Sequence, residues 1–255
     1  MNSTIDFERR GVIVTGAGSG IGRAAALQFA RLGAKVLVAD INATGAADVV
    51  KEIEAGGGTA LAVVGDLSDQ DAVDEVITTA VDSLGDLTVL VNNAGIMDSM
   101  TATGDVSDAE WERVIRINLT APFLLTRAAL PYLTAGGRGA IVNTASAAAL
   151  RGSAAGTAYT VSKHGLLGLT RSTAVMYRDR GVRVNAVAPG GTLTNVMDSI
   201  TVDADGAAAI QRYRENVGRG ASPDEIAAAI VFLASDAASN INGVVLPVDN
   251  GWSAV

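Results

Sequence analysis

An α/β fold, built as a doubly wound parallel sheet of about seven strands with helices on both faces, is predicted by three features of the 255-residue sequence. Short β-branched runs alternate with helical stretches along the whole chain. The runs are nearly continuous apolar, as strands enclosed between two helix layers are. The first run passes directly into a glycine-rich turn that opens a helix. No repeat, low-complexity tract or linker interrupts the alternation, so one domain over 1–255 is expected.

Candidate strands, which should be buried on both faces, run Gly11 to Thr15, Lys35 to Ala39, Thr59 to Val64, Leu87 to Val91, Arg138 to Thr144, Val182 to Ala188 and Gly243 to Val248. Helical periodicity fills the gaps over Gly20 to Leu32, Ala43 to Ala55, Asp69 to Leu84, Asp108 to Asn118, Ala121 to Ala135, Gly156 to Arg180 and Pro223 to Ala234. Ser68-Asp69-Gln70-Asp71 and Ser222-Pro223-Asp224-Glu225 both have the capping-box pattern, the second with proline at the first helical position. Gly56-Gly57-Gly58 reads as a helix stop.

Composition narrows the function classes. Net charge is −8 and the 19 basic residues are scattered, which argues against nucleic acid or an anionic membrane as partner. There is no cysteine, hence no disulfide and no thiolate chemistry, and no metal site is expected. The stretch Met1 to Arg10 has no signal-type apolar region, and no run approaches the roughly 18 apolar residues of a membrane span. A soluble, cytoplasmic protein is expected.

Three motifs carry chemistry. In Thr15-Gly16-Ala17-Gly18-Ser19-Gly20-Ile21-Gly22 the glycines permit a tight turn and close backbone approach, and the helix that follows offers free N–H groups to a diphosphate. A tight turn without a ligand is the alternative. Asp40, at the end of the second strand, could accept from adenosine ribose hydroxyls and would repel a 2′-phosphate, which favours NAD over NADP; otherwise it caps the next turn. Asp66 after the third strand could accept from an adenine amino group, or simply belong to a loop. Tyr159 and Lys163 lie four apart, on one helical face, with Ser146 thirteen residues upstream. A free phenol has a pKa near ~10, so it exchanges protons at neutral pH only when a cation favours the phenolate. Lys163 could supply that charge and Ser146 could hold a carbonyl oxygen; a packed ring beside a solvated lysine is the alternative.

With these motifs on the page, the chain resembles the short-chain dehydrogenase/reductase family of the ordinary type, over essentially its full length. The glycine turn matches Thr-Gly-x-x-x-Gly-x-Gly, Asn92-Asn93-Ala94-Gly95 matches Asn-Asn-Ala-Gly, Asn118, Ser146, Tyr159 and Lys163 match the catalytic tetrad, and Pro189-Gly190 follows the sixth strand. The resemblance implies a Rossmann-type fold, with Tyr159 as general acid/base and Ser146 binding the carbonyl oxygen. It implies that Lys163 holds the nicotinamide ribose while lowering the Tyr159 pKa, and that Asn118 kinks its helix and anchors a relay water. An NAD site is implied over Gly16, Ser19, Gly20, Ile21, Gly22, Asp40, Ile41, Asp66, Leu67, Asn93, Ala94, Gly95, Tyr159, Lys163, Pro189, Gly190 and Thr192. A mobile lid is implied at about 192–220.

The same resemblance puts the substrate pocket at Ser146, Ala148, Leu150, Met97, Tyr159, Gly191, Val196 and Met197, a lining that reads as apolar and uncharged. An NAD(H)-dependent interconversion of a secondary alcohol and a ketone, on an apolar substrate, is therefore expected. A 3-oxoacyl-[acyl-carrier-protein] reductase and a non-catalytic dinucleotide-binding protein are the alternatives. His164, Asp98 and Asp198 read as packed or solvated bystanders. Leu166, Leu167, Leu169 and Ala174 make the helix from Gly156 apolar round much of its circumference. Such a helix is buried on more than one side, and the family resemblance implies that it and the helix from Ala121 pair across two-fold axes into a homotetramer.

Overall fold

The computed structural model describes residues 5–194, 196 and 200–254. Its strands form where the β-branched runs lie: β1 Gly11–Thr15, β2 Lys35–Asp40, β3 Thr59–Val64, β4 Leu87–Asn92, β5 Gly139–Thr144, β6 Val182–Pro189 and β7 Val245–Val248. All pair in parallel, in the order β3-β2-β1-β4-β5-β6-β7. The order reverses between β1 and β4, and that switch point opens a crevice at the carboxyl ends of the strands.

Helices α1 Gly20–Arg31, α2 Ala43–Ala55, α3 Gln70–Leu84, α4 Asp108–Ile115, α5 Ala121–Ala135, α6 Thr157–Tyr177, α7 Ala204–Arg214 and α8 Pro223–Ala234 complete the chain. Apolar faces of α1, α2 and α8, with Phe29, Val49 and Ile230 among them, form one core against the sheet. On the opposite face α3, α5 and α6 contribute Val76, Leu125 and Ala174 to a second. Parallel strands need this double cover, and β1, β4 and β5 are buried along their whole length.

Four expectations need correction. β3 and β7 are not buried on both faces, because each has a neighbour on one side only; Leu61 and Val64 of β3 are exposed. The capping box at Ser222 forms, with Glu225 reciprocating, but the one at Ser68 does not. Asp66 takes both the Ser68 hydroxyl (2.7 Å) and its N–H (3.0 Å), so Asp69 becomes the cap position. The helix from Asp108 does not end at Asn118. A π turn, Arg116–Thr120, joins α4 to α5. Finally, α7 arises within the expected lid: Asp203 accepts from the Gly206 N–H at 2.7 Å and starts it. No described helix is long and apolar enough to cross a membrane.

Candidate active site

A cleft of about 590 Å³ opens along the carboxyl ends of the strands. Its glycine turn has to be glycine: Gly16 has φ +62°, and a Cβ there would lie 2.8 Å from the Ala94 Cα. A Cβ on Gly22 would lie 2.2 Å from the Gly16 carbonyl oxygen, so Gly22 acts by letting α1 pack against the turn and does not itself line the cleft. Asn93 clamps this turn. Its Nδ2 donates to the carbonyl oxygen of Thr15 (3.0 Å), while its Oδ1 accepts from the Thr144 hydroxyl (3.2 Å). Ser19, at the cap position of α1, makes no side-chain capping bond, so the first-turn N–H groups stay available beside the turn.

Two carboxylates flank the cleft beyond β2 and β3. Asp40 accepts from the Gly18 N–H (2.7 Å) through Oδ2 and from the Asn42 N–H (2.8 Å) through Oδ1. It therefore braces the glycine turn and also faces the cleft beside exposed Ile41. Asp66 is held below the usual carboxylate range, first by the Ser68 hydroxyl, then by its N–H and by the charge of Arg116. Leu67 lies alongside it. This cradle of glycines, free helix N–H groups and a carboxylate at the cleft wall fits a nicotinamide dinucleotide. Ala94, Gly95, Pro189, Gly190 and Thr192 continue its walls.

Across the switch point, past β5, stand Ser146, Tyr159 and Lys163. The Ser146 Oγ accepts from the Ala148 N–H at 3.1 Å, and the Ser146 hydroxyl acts on the Tyr159 phenol to lower its pKa. Lys163, one helical turn beyond Tyr159, is 3 % exposed; its Nζ donates to the Thr144 carbonyl oxygen at 2.9 Å and lies 5.4 Å from the Tyr159 ring centroid. The solvated-lysine alternative therefore fails. Burial pushes the lysine down to about 8. Tyr159 goes the other way, to about 12: burial raises it most, the Ser146 bond opposes, and the Asp98 charge raises it further. The expected lowering of the phenol by Lys163 is thus not seen in the chain alone: desolvation of the phenolate is the largest influence, and it raises the pKa.

Asn118 is fully buried in the π turn, behind the cleft wall. Its Nδ2 donates to the Ile96 carbonyl oxygen (2.9 Å) and the Ser162 hydroxyl (3.2 Å), and its Oδ1 accepts from the Ile96 N–H (2.9 Å). A Cβ on Gly95 would meet both Asn118 Oδ1 (3.2 Å) and Lys163 Nζ (3.3 Å), so these three groups are packed together. Asn118 is reached through Gly95 and Ile96, not through the open cleft.

The expected pocket is partly rearranged. Met97, Ser146, Tyr159, Gly191 and Val196 line the cleft. Ala148 is fully buried beneath Met97 and Met100. Leu150 is exposed and faces a separate shallow depression with Arg151 and Tyr213, because the short 3₁₀ turn of Ala147–Ala149 rotates it away. Met197 and Asp198 lie outside the described residues. Asp98 is no solvated bystander: it is 1 % exposed. His164 is exposed, and its Nδ1 lies 2.9 Å from the Thr160 carbonyl oxygen. Ala154, Arg214, Val217 and Trp252 line the cleft without having been foreseen, and Arg214 breaks the expectation of an uncharged lining. Proximity of an aromatic from the last few residues and an arginine from α7 has no local sequence signal. Among the described residues no cluster of His, Cys, Asp and Glu could hold a metal ion.

A doubly wound sheet with a glycine turn at its switch point, opening on a cleft where a half-buried tyrosine stands beside a buried lysine, defines the Rossmann-type, NAD(P)-using class of oxidoreductases. The family model described as enoyl-(acyl carrier protein) reductase matches residues 16–253. Cis-4-hydroxycyclohexanecarboxylate dehydrogenase of Sinomonas cyclohexanicum is 43% identical, over 98% of both chains. 3beta-hydroxysteroid dehydrogenase 2 of Eggerthella lenta is 39% identical, over 95% of this chain and 94% of that one. A solved structure from Beutenbergia cavernae, with NADP bound at low occupancy, superposes with a TM-score of 0.87 at 42% identity, covering 98% of this chain and 99% of that one. The chain belongs to the short-chain dehydrogenase/reductase family and is an oxidoreductase of CH–OH donors.

Proposed function

We propose that the protein interconverts an alicyclic secondary alcohol and its ketone with NAD(H), Tyr159 serving as general acid/base. The observation that carries this reading is the meeting of Ser146, Tyr159 and the Thr144-anchored Lys163 on the wall of the same cleft that Asp40 enters from its other half. Relatives named for a hydroxycyclohexane and a hydroxysteroid support a substrate oxygen borne on an apolar ring. Met97, Met100 and Ala154 offer such a ring apolar surface.

When bound, the nicotinamide dinucleotide supplies a hydride donor or acceptor. The chain's own contribution is positioning and proton transfer. The Ser146 hydroxyl orients the substrate oxygen, and the Tyr159 phenol gives that oxygen a proton in reduction and removes it in oxidation. With its pKa pushed up to about 12, the phenol is protonated at neutral pH and set for the reductive direction. The Lys163 ammonium beside the ring, fixed by Thr144, favours the phenolate that oxidation needs. Asn118 holds the Ile96 backbone on the far side of Gly95, and so keeps the lysine wall in place. Segment 192–220, with α7 seated on the Met100 loop through a 2.8 Å bond from the Asp203 N–H to the Ser99 carbonyl oxygen, acts as the lid.

Asp40 supports NAD over NADP, since its carboxylate would face a 2′-phosphate. The carrier-protein reading keeps one support, the description of the matching family model. Against it, an acidic carrier would find few basic residues to dock on, Arg138, Arg171 and Arg180 being the candidates, and Arg138 is already paired with Asp86 at 2.8 Å. The test is a panel of cyclohexanol, a 3β-hydroxysteroid, their ketones and a 3-oxoacyl thioester, assayed by absorbance with NADH and NADPH. Turnover of the ring compounds with NAD(H) is expected; turnover of the thioester alone, with NADPH, refutes the reading.

A further inference from the structure

Apart from the Ser146, Tyr159 and Lys163 group, the charged side chain lining the substrate half is Arg214, which comes from the last turn of α7. Its Nη1 lies 3.9 Å from the Met100 sulfur. Met100 packs in one cluster with Met97, Ala148 and the Tyr159 ring, which ties the guanidinium to the half of the cleft where the phenol acts, not to the half that holds Asp40. The neighbouring walls place its helix there, while the Arg214 residue itself stays exposed at the cleft. A Cβ on Gly206 would lie 2.1 Å from the Met100 carbonyl oxygen, so α7 sits directly on the Met100 backbone, and the Tyr213 carbonyl oxygen accepts from the Trp252 indole N–H at 3.1 Å.

Among the described residues no carboxylate forms an ion pair with Arg214, whereas Arg10, Arg23, Arg116 and Arg138 each have one across the fold. Asp98, the buried carboxylate of the same loop, is fully engaged with the N–H groups of Met100, Gly156 and Tyr159. An arginine that meets only a thioether in a cleft keeps all its forked donors for an anion, and a carboxylate matches that fork with two parallel hydrogen bonds.

We propose that Arg214 is the seat for a carboxylate carried by the substrate, so that the preferred substrate is a ring alcohol or ketone with an anionic group remote from the reacting carbon. This rests on the reading that the cleft takes a secondary alcohol on an apolar body. It adds the feature that orients that body: the ring lies against Met97 and Met100, the hydroxyl meets Tyr159 and the carboxylate meets Arg214.

The test compares 3- and 4-hydroxycyclohexanecarboxylate with their methyl esters, in the wild type and in Arg214→Gln and Arg214→Lys, with NAD. Wild type is expected to prefer at least one acid over its ester by about tenfold or more in kcat/KM, the range of a charge-assisted hydrogen-bonded pair. That preference should fall with added salt. In Arg214→Gln the acid-to-ester ratio should collapse towards one through KM for the acid, and Arg214→Lys should restore part of it. The Kd for NAD, read by fluorescence, should stay within about twofold. Equal turnover of acids and esters by the wild type overturns the seat alone. An equal loss on acid and ester in Arg214→Gln, or a shift confined to NAD affinity, overturns it too. No turnover of any ring alcohol, acid or ester, overturns the dehydrogenase reading and the seat with it.

Discussion

The Asp98 carboxylate accepts the backbone N–H of Tyr159 at 2.9 Å, from a position almost wholly shut off from water. Its other oxygen takes the N–H groups of Gly156 and Met100, both at 3.1 Å. One side chain therefore satisfies the amino end of α6, where a negative charge is favoured, and joins the loop after β4 to the helix that bears the phenol. Its charge also raises the Tyr159 pKa.

Asp98→Asn keeps the shape but can accept through one oxygen only, so at least one buried N–H loses its partner. A loss of about 1–3 kcal/mol in unfolding free energy is expected. Because the raising charge is gone, the Tyr159-dependent limb of the pH-rate profile should move to lower pH. Denaturant melts and kcat/KM against pH check both. A destabilised variant with an unmoved limb would leave Asp98 as a brace and nothing more.

Much of this arrangement was legible in the sequence, and the boundary is instructive. The glycine turn, Asp40, Ser146, Tyr159 and Lys163 announce themselves because each sits at a strand end or on a helix at fixed spacing, where local pattern sets position. Asp98 and Arg214 do not. Asp98 stands in a stretch with no periodicity, and its burial comes from α6 arriving against it, a tertiary event. Arg214 lies on a helix of low hydrophobicity whose start depends on one Asp203 cap. Leu150 was misplaced for a similar reason: three alanines in a row gave no hint of the 3₁₀ turn that swings it out. The edge strands failed because hydrophobic content says little about which strand comes last in the sheet.

Lys163 carries a charge that burial disfavours, which makes a prediction about stability. Its folded pKa of about 8 lies below the ordinary value of 10.5. Between those two values the unfolded chain binds more protons, so stability should rise with pH over that window; below about 8 both states are charged and the destabilisation is fully present. Lys163→Met removes the titration. The wild type should gain on this variant as pH is raised from 8 to 10, measured by urea melts at each pH, while the variant loses turnover. Parallel pH dependences for the two proteins would refute a buried, depressed lysine.

Tyr159→Phe deletes the proton donor while keeping the ring that packs with Met97 and Ala148. NAD affinity should hold within a few-fold, and kcat should fall by about 10²–10⁴, the usual yield of a positioned acid or base. Single-turnover absorbance gives kcat, and fluorescence titration gives the affinity. Retained kcat would shift the proton-transfer role to another group.

Asp40 is asked both to brace the glycine turn and to select the cofactor. In Asp40→Ser the bonds to Gly18 and Asn42 weaken and the charge disappears. The ratio of kcat/KM for NAD over NADP should drop by about tenfold or more, since the repulsion of a 2′-phosphate goes with the carboxylate. If both cofactors lose equally, the residue braces and does not select.

The outer face of α5 and α6 sets the last prediction. Leu166, Leu167 and Ala174, which first suggested an oligomer, are buried within the chain's own core and are not free for a partner. What remains outside is Phe123 and Tyr132 on α5, with Val161, Val175 and Met176 on α6, the last two 64% and 72% exposed. An apolar group of this kind on neighbouring surface helices is a contact surface in waiting. A homotetramer is the expected state, with α5 and α6 pairing against their copies across two-fold axes. Light scattering at micromolar concentration should give a mass about four times that of the chain. Val175→Asp with Met176→Glu should reduce it without unfolding the monomer, because neither side chain is part of the core; a monomeric wild type would remove the interface.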